Sequence, residues 1–374
     1  MQSLALAWLV YRLTGSTVVM GTVGFAMHIP VLLLGPIAGL VCDRYPRRTI
    51  VIAAEGVLLI QAALLAVLTL TGRISVAHIL ALAFLLGVAN AFDIPGRQSL
   101  YIHMVGPDDL PNAITLNSMS FNAARVVGPS IGGLCVALLG EGVCFAVNAL
   151  SYVAVIASLL AMRKAEPARE AHTESPIRHL AEGFRYAWNH RRVRAILIVT
   201  ALANIAMTPA SVLGPVFADQ IFHRGSEGLG VLNGALGFGA VTGTFRLARQ
   251  ARPDLLPRIV LSSSGLAALA LAIYALSPSF YISIAVQALA GYAIFRLLAS
   301  VNSLIQGSIE DSYRGRVMSL YSMTVVGMLP IGNLAAGLGG SFLGVRPTVL
   351  AGAMLSLGAA VVWSRLLRAG EMDH

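Results

Sequence analysis

Five charged side chains lie well inside long apolar stretches of the sequence, away from their ends. They are Glu55, Asp93, Arg97, Arg125 and Arg296. A charged group is costly in the interior of a membrane, so such residues commonly bind ions, protons or substrate. A carboxylate that gains and loses a proton beside an arginine can bias the balance between two conformations. These residues are therefore candidates for proton coupling within a membrane protein.

Asp93 is the strongest candidate for the proton site. Counted from the nearer helix ends, Asp93 and Arg125 lie about ten to thirteen residues inside two neighbouring helices, close to the middle of a bilayer. The sequence predicts an ion pair between them, which protonation of Asp93 would release. Two alternatives stay open: a permanent structural ion pair, or a bond between Asp93 and Arg97, one helical turn apart.

Membrane spans are the elements that must position these residues. The 374 residues are 57% hydrophobic and 11% charged, whereas soluble domains are about a quarter charged and disordered chains are less apolar. Eleven of twelve apolar runs are long enough to cross about 30 Å of hydrocarbon. The runs cover 2–13, 17–41, 49–71, 76–103, 112–139, 142–162, 195–218, 225–246, 256–277, 279–306, 315–341 and 344–363.

Positive charge is distributed unevenly between the connections. Twenty Lys and Arg residues lie in even-numbered connections and at the C-terminus, against four in odd-numbered ones. The positive-inside rule therefore predicts that both termini and the polar stretch 163–194 are cytoplasmic. The net charge of +9 thus reflects topology, and nucleic-acid binding is not predicted. The stretch 163–194 links a six-helix half, 1–162, to a second half, 195–374.

The linker contains a predicted amphipathic helix. Ser175-Pro176 is typical of a helix N-terminus, and apolar residues then recur at helical spacing as far as Trp188. This pattern favours a helix lying along the cytoplasmic membrane surface, with a solvated linker as the alternative.

An internal repeat appears when the sequence is shifted by 204 residues. Seven glycines of the first half then coincide with glycines of the second, including Gly21 with Gly225 and Gly133 with Gly337. The small-x-x-x-small spacing Gly35/Gly39 returns as 239/243, which predicts close helix packing at both places. Two parallel six-helix repeats are typical of one class of transporters, with the substrate site between the halves. The register also leads us to expect that the short first run lacks the first half of helix one, with a naturally short helix as the alternative.

The second connection, Gly-Leu-Val-Cys-Asp-Arg-Tyr-Pro-Arg-Arg from Gly39, resembles the G-x-L-A-D-R-x-G-R-R signature of the major facilitator superfamily. The matching residues are Gly39, Asp43, Arg44, Arg47 and Arg48. The resemblance implies a cytoplasmic gate in which Asp43 faces the positive end of the eleventh helix, near Gly315 and Arg316. A basic turn that only sets topology is the alternative.

In the fifth helix, Gly-Pro-Ser-Ile-Gly-Gly is similar to a motif associated with antiporters of this superfamily. Its matching residues are Gly128, Pro129, Gly132 and Gly133. Proline removes a backbone donor and glycine permits close packing, so a purely structural kink is the alternative.

Further segments resemble the branch that contains the enterobactin exporter. They begin at Asn90, Leu110 and Arg314. The resemblance implies a central cavity for which Arg296, Phe92, Asn90 and Trp8 are substrate-contact candidates. Arg296 could instead pair with a carboxylate or extend towards the cytoplasm. We expect Glu55 to belong to the cytoplasmic charge cluster rather than to this cavity.

Together these features predict an all-α protein of two pseudo-symmetric six-helix bundles in a bacterial plasma membrane. The predicted function is proton-driven export of a small organic molecule, siderophore or drug-like, by a monomer that alternates access through the lipid bilayer. Uptake by symport and a non-transporting receptor are the alternatives. No catalytic constellation, phosphate loop or metal-ligand spacing is present in the sequence, so no enzyme activity, cofactor or metal is predicted.

Overall fold

Twelve helices of 13 residues or more, with shorter helical turns between some of them, lie in the part of the chain that the computed structural model describes, residues 1–104, 109–162, 184–250, 252–309 and 313–368. No strand occurs within these ranges. The first six helices are α1 Gln2–Thr14, α2 Thr17–Arg44, α3 Arg47–Leu70, α4 Val76–Met104, α5 110–139 and α6 141–161. The others are α7 Arg191–Ile221, α8 Gly225–Gln250, α9 Leu256–Leu276, α10 Phe280–Gly307, α11 Arg314–Phe342 and α12 Val345–Arg368.

Local sequence explains the helix boundaries. The side chain of Ser16 caps α2 by accepting a hydrogen bond from the backbone of Val19. Gly140 separates α5 from α6 with φ 82° and ψ 167°, a conformation that a residue with a Cβ rarely adopts. Ten continuous segments of the described residues are long and apolar enough to cross a membrane. One of them, Ala123–Ala161, contains the Gly140 break and therefore holds two spans, so the segments agree with the eleven predicted runs.

The first helix is short, as its apolar run predicted. α1 has 13 residues, which correspond to about 20 Å of helix. It packs mainly against the continuous α5–α6 segment. A pair formed by the Arg12 Nε and Glu141 Oε1 atoms, 2.7 Å apart, fixes the end of α1 to the start of α6.

The helices pack as two groups that meet through two helix pairs. α4 contacts α2 and α3 in the first group, and α10 contacts α8 and α9 in the second. The extensive contacts between the groups are those of α2 with α11 and of α5 with α8. This arrangement confirms the predicted fold of two six-helix bundles.

The two inter-bundle contacts are closest at one end of the molecule. A Cβ placed on Gly21 would lie 2.8 Å from Gly337 Cα, and one placed on Gly133 would lie 2.7 Å from Gly230 Cα. Both crossings lie near the ends at which α2 and α8 begin. We call this the opposite end, because α2 and α8 finish at an arginine-rich end that carries Arg44 and Arg249 among others.

The bundles diverge towards the arginine-rich end. Positions for a Cβ on Gly35, Gly39 and Gly315 have no atom of the described residues within 4 Å. The predicted close packing is therefore wrong for Gly35 and Gly39, since α2 has separated from α11 at that depth. It is correct for the repeat in α8, where a Cβ on Gly243 would lie 3.0 Å from Tyr292 Cα of α10.

The predicted amphipathic helix of the linker lies largely outside the described residues. Its last part, 184–189, is helical. Phe184 and Trp188 stack with ring centroids 5.8 Å apart and are both exposed. Tyr186, on another side of the same turn, stacks 4.5 Å from Tyr313 at the start of α11.

Candidate functional site

A buried charge cluster joins α3 to α4 within the first bundle. Arg97 Nε and Nη2 each lie 3.2 Å from a different carboxylate oxygen of Asp93. Nη2 of the same arginine also donates to Glu55 Oε1. The predicted proton-coupling residues Glu55, Asp93 and Arg97 therefore come together, with two carboxylates sharing one guanidinium.

The two carboxylates of the cluster are buried, whereas its arginine is partly exposed. Glu55 is 0% exposed and Asp93 7% exposed, whereas the Arg97 side chain is 35% exposed. Glu55 Oε2 has no hydrogen-bond partner among the described residues. Arg97 follows Asp93 by one turn towards the arginine-rich end, so the exposed member of the cluster lies on the side nearer that end.

The predicted ion pair between Asp93 and Arg125 is not formed in this structure. Asp93 bonds to Arg97 instead, which was the alternative, because residues four apart on a helix lie on the same side. Arg125 extends from α5 to the second bundle, where its Cζ lies 4.3 Å from the ring centroid of Phe295 on α10. Arg125 thus contributes to the contact between the bundles.

The glycine–proline motif of α5 lies where α1, α5 and α8 meet. A Cβ on Gly132 would lie 3.1 Å from Met1 Cα, while Gly128 is 4.0 Å from the Met1 nitrogen. Gly133 faces α8, as does the carbonyl of Pro129, 3.0 Å from the Cβ position of Gly230. The motif residues therefore allow α1 and α8 to pack directly against the α5 backbone.

The gate-motif residues lie at the arginine-rich end. Arg44 is exposed at the end of α2, and Arg47 is buried at the start of α3. Arg48 donates from Nε to the carbonyl of Leu159, at 2.8 Å, and from Nη2 to that of Leu160, at 2.9 Å. It therefore satisfies carbonyls that the end of α6 leaves without helical partners.

The other half of the predicted gate is at the start of α11. Gly315 faces open space there, and Arg316 Cζ lies 5.5 Å from the Tyr313 ring centroid. The side chain of Asp43 lies outside the described part of the structure, so its contact with α11 remains a prediction.

The predicted substrate-contact residues do not form one site. Asn90 and Phe92 are half-buried on α4, and Trp8 is half-buried against Tyr11, with ring centroids 5.5 Å apart. Arg296 lines a cavity together with residues of α8, α9 and their connection, all from the second bundle. A substrate cavity between the bundles requires lining from both, so this location favours the alternative in which Arg296 extends towards the arginine-rich end.

Three polar contacts between the bundles were not predicted. Tyr11 Oη donates to Asp219 Oδ2 at 2.6 Å. Thr17 Oγ1 donates to the carbonyl of Gly337 at 2.9 Å. The Asn333 amide nitrogen contacts His28 Nδ1 at 3.3 Å. An intramembrane histidine and a carboxylate at the margin of an apolar run were the available signals, but sequence alone does not pair residues across the two halves.

The geometry thus combines two bundles closed at one end with a buried titratable cluster in one of them. No group of three or more metal-ligating side chains occurs within the residues described. A family model described as transmembrane secretion effector matches residues 1–374. The chain belongs to this family of major facilitator superfamily transporters. It is therefore a multi-pass membrane protein of a transporter family and not an enzyme.

Several members of the superfamily resemble this chain along most of its length. The multidrug efflux pump Tap of Mycolicibacterium fortuitum is 27% identical over 99% of this chain and 92% of the pump. The staphyloferrin A transporter of Staphylococcus aureus is 25% identical over 92% of this chain and 86% of that protein. A mutant of the nucleoside transporter NupG superposes with a TM-score of 0.74 at 15% identity, covering 97% of this chain and 96% of NupG, which supports the fold.

Proposed function

We propose that the protein exports a small organic molecule from a bacterial cell in exchange for protons. The observation that carries the proposal is the sharing of Arg97 between Asp93 and Glu55. With both carboxylates ionised, the cluster has one negative charge in excess in a poorly solvated place, and such a charge is costly. Uptake of one proton removes the excess charge, so the cluster is suited to bind and release a coupling proton.

The packing offers a route from the cluster to the contact between the bundles. A Cβ on Gly87 of α4 would lie 2.9 Å from Pro30 Cγ of α2, so the two helices are in close contact less than two turns from Asp93. α2 in turn forms one of the two contacts with the second bundle. A proton-dependent shift of α4 would therefore act on the relative position of the bundles.

The excess of arginine at one end supports its assignment to the cytoplasm. With that topology, the structure is open to the cytoplasm and closed to the outside. Substrate would enter from the cytoplasm, and the bundles would then separate at the opposite end and close at the arginine-rich end, where the predicted contact of Asp43 with α11 would form. The names of Tap and the staphyloferrin A transporter favour export of a drug-like molecule or a siderophore.

The direct test is transport by purified protein in proteoliposomes with an imposed pH gradient. Ethidium and staphyloferrin A serve as probes of the two substrate classes. We expect the gradient to drive probe movement opposite to proton movement, and Asp93→Asn to abolish that movement because its cluster is already neutral. Flux in the same direction as protons would support symport and contradict the proposal.

Glu141→Gln is the matched control. It also replaces a buried carboxylate that pairs with an arginine, but at the opposite end, where Glu141 bonds to Arg12. We expect it to retain gradient-driven flux. Wild-type flux in Asp93→Asn would contradict the role of the cluster.

A further inference from the structure

Four arginines surround a cavity of about 530 Å³ at the arginine-rich end of the second bundle. Arg249 comes from the end of α8, Arg252 from the connection that follows, Arg258 from the first turn of α9 and Arg296 from α10. The remaining lining residues are Gln250, Leu255, Ile259 and Ser262. Among the described residues, the lining therefore contains four positive charges and no carboxylate.

Nothing in the described part of the protein neutralises these arginines. None of the four forms an ion pair with a carboxylate of the described residues. Arg296 Nε is buried and has no hydrogen-bond partner there. The contacts that Arg249 and Arg296 do make are with aromatic faces, at 4.3 Å from Phe245 and 5.6 Å from Tyr292. Such stacking leaves guanidinium N–H groups free to donate to an anion.

The position of the cavity indicates where the anion comes from. α9 contacts α10 and α12 but has no extensive contact with the first bundle, so the cavity lies at the periphery of the molecule. Val231, Phe238 and Phe245 recur every seven residues along α8 and are all exposed. They lie on a different side from Gly230 and Gly237, which face α5. An exposed apolar strip therefore leads along α8 to the arginines.

We propose that this arginine pocket binds the phosphate headgroup of an anionic membrane lipid, with the acyl chains along the exposed strip of α8. Guanidinium groups bind phosphate oxygens with directed, charge-assisted hydrogen bonds, and basic pockets between helices near a membrane surface suit anionic headgroups. Leu255 and Ile259 provide apolar contact for the glycerol region. The pocket is thus a lipid site that is separate from the Glu55–Arg97–Asp93 cluster.

The test is native mass spectrometry of the purified full-length chain in non-ionic detergent, with dioleoyl phosphatidylglycerol or phosphatidylcholine added. We expect the wild type to bind phosphatidylglycerol preferentially. The double variant Arg252→Gln, Arg258→Gln should bind it roughly 30-fold more weakly, from the attraction that each arginine contributes near an anionic surface. The double variant Arg252→Lys, Arg258→Lys keeps the charge and should retain most of the binding. Binding by this variant would show that replacing both arginines leaves the protein folded.

The matched control removes two arginines from the opposite end, in Arg73→Gln, Arg224→Gln. We expect it to bind phosphatidylglycerol as the wild type does, and an equal loss in the control would overturn the proposal because binding would then follow net charge alone. Inorganic phosphate and glycerol 3-phosphate are added as competitors. Displacement of the lipid by either at an equal concentration would identify a site for a soluble phosphate and also overturn it. Because the readout is lipid binding, failure of this proposal leaves the proposed export function intact.

Discussion

Replacing Gly133 with alanine should impair closure of the opposite end. The added Cβ would lie 2.7 Å from Gly230 Cα and 2.8 Å from the Ser226 carbonyl oxygen, whereas carbon atoms in contact are about 3.5–4.0 Å apart. The bundles must therefore separate by roughly 1 Å at this crossing. Overpacking of this kind costs about 1–3 kcal/mol, and it acts only on the conformation in which α5 and α8 touch. We expect the population of that conformation to fall by about 5- to 150-fold relative to the alternative.

A disulfide across the other crossing reports this population. A Cβ on Gly340 of α11 would lie 3.0 Å from Thr17 Cβ of α2, slightly closer than the usual 3.5–4.5 Å of a disulfide. The pair Thr17→Cys, Gly340→Cys should therefore cross-link readily when the opposite end is closed. The background replaces the three native cysteines with alanine, at Cys42, Cys135 and Cys144. Adding Gly133→Ala should slow oxidative cross-linking by at least about fivefold.

The control is Gly265→Ala, because a Cβ on Gly265 of α9 meets no neighbouring atom within 4 Å. Both substitutions add the same methyl group and the same helix propensity, which affects the two conformations equally. We expect Gly265→Ala to cross-link at the rate of the unsubstituted pair. Equal rates in Gly133→Ala and Gly265→Ala would refute the view that this crossing limits closure.

Three further substitutions test individual contacts. Tyr11→Phe removes the hydrogen bond to Asp219 between the bundles. Since a hydrogen bond to a charged group contributes about 1.5–3 kcal/mol, the Thr17→Cys, Gly340→Cys cross-link should form more slowly. An unchanged rate would show that this hydrogen bond does not hold the opposite end closed. Arg48→Gln removes two hydrogen bonds to carbonyls at the end of α6. It should therefore lower the midpoint of thermal unfolding in detergent, measured by intrinsic fluorescence. An unaltered midpoint would contradict the capping role of Arg48. Glu141→Gln leaves Arg12 without its ion pair but still half solvated, since the Arg12 side chain is 52% exposed. It should therefore lower the free energy of unfolding by under about 1 kcal/mol. A larger loss would show that the pair stabilises the fold more than the exposure of Arg12 indicates.

Sequence patterns predicted the fold well because each helix is specified locally. Apolar runs, glycine breaks and arginine-rich connections fall within a few residues of the observed helix ends, as with the break at Gly140. The 204-residue repeat also identified Gly133 and Gly337, which lie at the two crossings between the bundles. Close backbone approach requires glycine whatever its neighbours are, so the sequence carries that information without naming the partner helix.

Pairings of side chains were harder to predict. Depth alone suggested Asp93 with Arg125, but depth does not specify which side of a helix faces which neighbour. The side chains of Asp93 and Arg97 share one side of α4, whereas Arg125 reaches Phe295 in the other bundle. For Arg296, the choice between a central cavity and a peripheral pocket depended on the position of α9, which no residue pattern of α10 encodes.

A network of three amide side chains was not predicted, because the predicted intramembrane pairing involved charged groups. Gln2 Nε2 donates to Gln61 Oε1 at 2.7 Å, and the Asn148 amide donates to Gln2 Oε1. This buried network joins α1, α3 and α6. Its members are visible in the sequence as polar residues inside apolar runs, whereas their connections depend on how the helices pack.

Proton binding by the purified protein is the most direct test of the Glu55–Arg97–Asp93 cluster, because it needs no knowledge of the substrate. A pH indicator in weakly buffered detergent solution records the protons taken up after a jump from alkaline to acidic pH. We expect the wild type to take up about one proton more per molecule than Asp93→Asn, and we expect Glu55→Gln to lose the same proton. Equal uptake by the wild type and both variants would contradict the assignment of the coupling proton to this cluster.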